Sequence, residues 1–155
     1  MHYLADGHDD PRPEFLRRLK AAIGDQGSIV AFNASFELQR LRECADVLPG
    51  TSSWLARVEP RVVDLLEPFR AFHYYHPAQG GSASMKAVLP ALTGRGYDRL
   101  AIQEGGTASR EFLRIEFGGV PDEERVRVRR QLEEYCALDT MGMIQIVDAL
   151  REAAG

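Results

Sequence analysis

From Leu132 to Leu150 the apolar residues Leu132, Cys136, Met143, Ile146, Val147 and Leu150 recur at helical spacing. They define one face that a helix would bury. Asp139 falls in the middle of that face, where burial of an unpaired carboxylate is so unfavourable that something must compensate it. Tyr135 stands one turn earlier at i−4, so its hydroxyl and the Asp139 carboxylate leave the helix on the same side. Gly142 removes a side chain just beyond Asp139 and lets another backbone or a ligand approach. From this helix alone two readings stand: a structural aspartate bonded to a backbone amide or an arginine, or a functional carboxylate.

The same patterning places the other elements. His2–Ala5 reads as the tail of a strand, and Glu14 to Ile23 as an amphipathic helix led in by Pro11 and Pro13 and closed by Gly24. Gly27 to Phe32 is a near-continuous β-branched and aromatic run, the composition of a central strand buried on both faces in a parallel sheet. A helix follows from Ala34 or Ser35 and ends before Pro49-Gly50. The join at Asn33 is a strand-to-helix turn of the kind where α/β sheets place ligands. Arg61 to Asp64 predicts a second, short strand, Leu65 to Tyr75 a helix, and Pro77 to Ser84 a loop. Ser84 is positioned to cap a helix from Met85 to Leu92. Gly94 to Gly106 reads as irregular, Ser109 to Phe117 as helix, and Pro121 followed by three acidic residues as a helix start feeding the Leu132–Leu150 segment. One strand with the composition of a sheet centre needs neighbours on both edges, and the pattern supplies too few. Either a second copy or chain upstream of Met1 is expected to complete the sheet.

Composition adds bounds rather than direction. With 155 residues the expectation is one domain, and no apolar run is long enough to span a membrane or read as a signal peptide. A cytoplasmic location follows as an expectation. Cys44 and Cys136 lack metal-type spacing and read as free buried thiols. A net charge of −4 argues against a general nucleic-acid coat, although local patches set the field at a site.

Four stretches taken in order carry a resemblance. They are Asn33-Ala34-Ser35-Phe36-Glu37 after a strand, Asp64-Leu65 after a second, Gly81 to Lys86 opening a helix, and Tyr135-Cys136-Ala137-Leu138-Asp139 in the last helix. This combination resembles the DEDD, DnaQ-like 3′ to 5′ exonucleases of the ribonuclease H-like fold, in the variant whose last motif is Tyr-x-x-x-Asp. The wording is closer still to a bacterial family, domain of unknown function 2779, that is similar to those nucleases. The resemblance implies a helix-rich α/β, exonuclease-type fold whose first strands are missing here, so that 1–155 would be an N-terminally truncated domain. It also implies two-metal phosphodiester hydrolysis with Mg²⁺ or Mn²⁺, acting on a single-stranded RNA or DNA end.

On that resemblance Asp139 and Glu37 are expected to bind metal, Tyr135 to orient or deprotonate the attacking water, Asn33 to fix the turn or contact substrate, Lys86 to face the phosphate backbone, and Asp64 to support the site. The family's first motif, Asp-x-Glu on the first strand, has no counterpart before Asn33, and Glu37 stands where the second motif has Asp. Asp6, Asp9, Asp10 and Glu14 lie in a turn and a helix start and do not replace the first motif. His73 and His76, with Tyr74 and Tyr75, are a weaker candidate metal or base-stacking cluster, and a Cys136–His73 nucleophile pair is weaker still. The rival expectation is a non-catalytic helical interaction module on the same scaffold, with homodimerisation through exposed strand edges possible under either reading.

Overall fold

The structure is a computed structural model that describes residues 3–155. Helix α1, Arg12–Ile23, opens with proline in its first turn and closes at Gly24, whose φ of 53° only glycine adopts freely and whose N–H returns to the Lys20 carbonyl. Strand β1, Ile29–Ala31, is followed by α2, Ala34–Val47, and α3, Thr51–Val58. A single 3₁₀ turn, Glu59–Arg61, leads into β2, Val62–Asp64. The strands are parallel, in register Ile29↔Val62, Val30↔Val63 and Ala31↔Asp64. The first half of the chain is thus a strand–helix–helix–strand crossover. Beyond it come α4, Glu67–Arg70, α5, Met85–Thr93, α6, Gly105–Phe117, and α7, Asp122–Ala154.

Three apolar clusters hold these elements. Leu16, Cys44, Trp54, Leu55 and Val58 pack α1, α2 and α3 together, with Ile29 and Val62 of the strands against them. Ile102, Ile115, Val128 and Leu132 join α6 to the first half of α7. Leu65, Phe69, Val88, Leu89, Tyr97 and Ile146 join α4, α5 and the second half of α7. Helix α7, 33 residues and therefore roughly 50 Å long, runs through two of the clusters, and that packing keeps so long an element in one piece.

Several expectations change. Helix α3 has no counterpart in the sequence analysis, which assigns no element between Pro49-Gly50 and Arg61. Trp54, Leu55 and Val58 have instead the spacing of a buried helical face. The first strand is three residues long rather than the run Gly27 to Phe32, and it is not buried on both faces: Val30 is 37% and its register partner Val63 50% exposed. The helix from Leu65 to Tyr75 is cut to four residues, since Phe72 takes a left-handed φ of 55° and the Tyr74 N–H bonds back to the Pro68 carbonyl. Ser84 stands at the start of α5 but makes no capping bond, its hydroxyl pairing with Ser82. Helix α6 begins at Gly105 rather than Ser109. Tyr3–Ala5 is not a strand; His2 lies outside the described residues. Cys44 is buried as expected, whereas Cys136 is exposed, because α7 turns that side of its stripe to solvent. No helix among the described residues is long and apolar enough to cross a membrane.

Candidate functional site

Asn33 is one of two non-glycine residues with positive φ among those described, at 69° and ψ 59°. Asparagine tolerates that conformation better than most residues because its short polar side chain bonds locally. Here its Oδ1 accepts from Ser35 Oγ at 3.0 Å instead of capping the backbone of α2. The Asn33 N–H donates to Asp64 Oδ1 at 2.9 Å, and the Leu66 N–H donates to the same oxygen at 3.0 Å. Asp64 therefore ties the carboxyl ends of both strands into one corner. That corner sets the direction of α2 and of Glu37 in its first turn.

Asp139 approaches from the opposite half of the chain. Its Oδ1 accepts a 2.5 Å hydrogen bond from the hydroxyl of Tyr97, and the Tyr135 hydroxyl on its own helix is near enough to favour the ionised carboxylate. The two tyrosine rings stand 5.8 Å apart at 47°. Burial raises the Asp139 carboxyl above its ordinary value, outweighing both hydroxyls and the nearby Lys86 ammonium. Tyr97 is raised by burial and then by its bond to Asp139, and Tyr135 by burial and then by the Asp139 charge. Glu37 is exposed by surface area, yet its carboxyl is raised too, first by partial desolvation and then by the charge of Asp139. Glu37 is thus close enough to Asp139 for that charge to oppose its ionisation. Lys86 pairs at 3.6 Å with Glu104, just before α6, rather than with either of them.

Gly142 is explained by packing. A Cβ there would lie 2.8 Å from Leu89 Cδ2 and 2.9 Å from Met85 Cε, so what approaches is α5 rather than a ligand. Close approach of α5 in turn brings Lys86 toward Asp139.

Glu37 and Asp139 are hard oxygen donors without thiol or imidazole companions, a set that suits Mg²⁺ or Mn²⁺. Mg²⁺ commonly keeps several waters and uses one or two carboxylates with substrate phosphates, so the pair fits one side of such a site. No group of three potential ligands occurs among the described residues. His76 is engaged locally, its Nδ1 accepting from the Ala78 N–H, and the weaker candidate pair His73 and His76 belongs to no group of three potential metal ligands among the described residues. The acidic residues near the N-terminus line a separate cavity of about 490 Å³ with Tyr3 and Leu4. There Asp10 and Glu14 are held down to about 2 by Arg12 and by Arg17 with Arg18. Tyr97 and Glu104 escaped the sequence reading because both lie in the segment Gly94 to Gly106, which carries no periodicity. An aromatic set among glycines was the only signal there.

A family model described as Domain of unknown function (DUF2779) matches residues 1–84. Over 135 residues, 79% of this chain, the sequence is 27% identical to a protein of Mycoplasma pneumoniae described as "Uncharacterized protein MG366 homolog". The chain spans about a fifth of that relative's length, 20%. No solved structure matches the chain.

Proposed function

We propose, for a chain that belongs to the DUF2779 family, that it carries one side of a divalent-metal site for phosphodiester hydrolysis on a ribonuclease H-like, exonuclease-type scaffold. The observation that carries this reading is the convergence of Glu37 and Asp139, each raised by desolvation and Glu37 also by the charge of Asp139. Structural carboxylates are usually paired with a cation or with amide donors; two that are both desolvated, one of them also raised by the other's charge, form a place suited to positive charge. The parallel strands ending at Ala31 and Asp64, with Asn33 in the turn just beyond the first, support the scaffold assignment, since such sheets bind ligands beyond their carboxyl ends.

A Mg²⁺ or Mn²⁺ ion, when bound, would polarise a phosphate and acidify a water. Glu37 and Asp139 would hold it, with further ligands from water, substrate or the rest of a longer protein. Tyr135, one turn before Asp139 on the same helix and near its carboxylate, would hold a water by its hydroxyl. Lys86 would meet a phosphate oxygen by exchanging its exposed pairing with Glu104, an interaction weak enough to give up. Substrate would be a single-stranded nucleic-acid end in the cytoplasm.

The test is calorimetric titration with Mn²⁺. Wild type is expected to bind, and Glu37→Gln and Asp139→Asn to weaken binding by at least about tenfold, the scale on which loss of metal-site groups acts. A form of the chain extended by the upstream Asp-x-Glu strand that the resemblance calls for should then degrade single-stranded RNA or DNA with Mg²⁺, and Asp139→Asn should abolish that. Uptake of Mn²⁺ unaffected by both substitutions would refute the site. A second reading, a non-catalytic interaction module, is favoured by the Tyr97 bond, which satisfies Asp139 without a cation; a wild-type protein indifferent to Mn²⁺ and Mg²⁺ would select it.

A further inference from the structure

Tyr97 is 6% exposed and sits in the cluster that joins α5 to the second half of α7, beside Val88, Leu89 and Ile146. Its ring also rests against that of Tyr135. The loop that delivers it, residues 95–104, is fixed along its length. The Leu100 N–H donates to the Tyr97 carbonyl at 2.9 Å, Gln103 Nε2 donates to the carbonyls of Asp98 and Leu100 at 3.3 and 3.0 Å, and Ile102 is buried in the cluster under α6. At its far end Glu104 meets Lys86. The Tyr97 hydroxyl is therefore a donor held by packing on one side and by backbone bonds on the other. It is aimed at a carboxylate on a different element.

A hydroxyl has one proton to give, whereas a carboxylate offers about four lone-pair positions. One rigid donor on Oδ1 restricts rotation of the Asp139 carboxyl and leaves acceptor capacity for a second partner. Groups that orient a metal-binding carboxylate in this way set affinity without touching the ion. We propose that Tyr97 is the positioning residue of Asp139: its hydroxyl fixes the orientation in which that carboxylate is presented, beside Glu37, to a divalent cation. This rests on the two-carboxylate reading above and adds to it a residue that no motif indicates.

Tyr97→Phe removes the hydroxyl and keeps the ring, so the packing of the loop is retained. Mn²⁺ titration of wild type, Tyr97→Phe, Asp139→Asn and the double variant separates positioning from packing. Tyr97→Phe is expected to weaken Mn²⁺ binding about tenfold, and to have no further effect in the Asp139→Asn background, because a residue acting through Asp139 has nothing left to orient. Wild-type affinity in Tyr97→Phe, or an equal loss in both backgrounds, overturns the proposal and leaves the metal site standing. A wild type that takes up no Mn²⁺ overturns the metal site and this proposal together. Should Tyr97→Phe fail to fold, the near-ultraviolet tyrosine difference spectrum on adding Mg²⁺ replaces it. A change seen in wild type and absent in Asp139→Asn supports the positioning role, and a spectrum that Mg²⁺ leaves flat in wild type rejects it.

Discussion

At Asp139 two effects of opposite sign meet, and the balance is measurable. Burial raises its carboxyl although Tyr97 and Tyr135 pull the other way. A carboxyl raised on folding holds its proton more tightly in the folded state, so its ionisation opposes folding. The cost is absent below the ordinary value near 3.8 and complete once the pH exceeds the raised folded value. Glu37, raised partly by Asp139, shares the same sign. Asp139→Asn keeps an acceptor for the Tyr97 hydroxyl and loses the charge. After allowance for solvent screening it is expected to melt about 2–3 °C above wild type at pH 7, with the difference closing by about pH 3. Excess Mg²⁺ should raise the melting temperature of wild type and not of the variant. A variant that melts lower at pH 7 would mean that the hydrogen bond outweighs burial and that Asp139 is a structural residue.

Among the elements, the two strands depend on one side chain from the turn before β2. The Arg61 guanidinium donates to the carbonyls of Ile23, Gly24, Gln26 and Gly27 at 2.6 to 3.0 Å, and so ties the end of α1 and the approach to β1 onto β2. A planar fork with several donors suits this task and a lysine does not. Arg61→Ala is expected to cost about 2 kcal/mol in urea unfolding, within the range for charged hydrogen bonds, and Arg61→Lys to recover little of it. Unfolding unchanged in both would show the carbonyls to be equally well served by water. Arg129 of α7 plays a comparable part at the N-terminus, donating to the carbonyls of Leu4 and Ala5 and pairing with Glu116 of α6. Neither arginine was distinguishable in the sequence from its many solvated neighbours, since what selects them is which carbonyls the fold leaves within reach.

For the molecule as a whole, the sheet is the least covered part. Parallel sheets occur almost entirely with both faces covered, and isolated pairs of strands are marginal in water. Among the described residues this sheet has two strands, with Val30 and Val63 side by side on an uncovered face. The chain is expected to self-associate with rising concentration in sedimentation velocity, and Val63→Lys to shift it toward monomer, because a charge on that face resists both stacking and edge pairing. A wild type that stays monomeric and soluble at high concentration would count against this. A count of strand-like runs predicts a helix-rich α/β chain with little sheet, and two parallel strands are what the described residues form.

Periodicity by itself determined the long helix, the α2 and α6 segments, both strand positions and the placing of Tyr135 beside Asp139, because these depend on neighbours three or four residues away or on alternation within a short run. Tertiary structure alone decided that Phe72 ends α4 after one turn and that Cys136 faces water. It also decided that the donor to Asp139 is Tyr97, a residue 42 positions distant in the chain. In each of these the outcome depends on which surfaces meet, and the energy of a buried hydroxyl or an apolar face is set by the partner across the contact rather than by its neighbours along the chain.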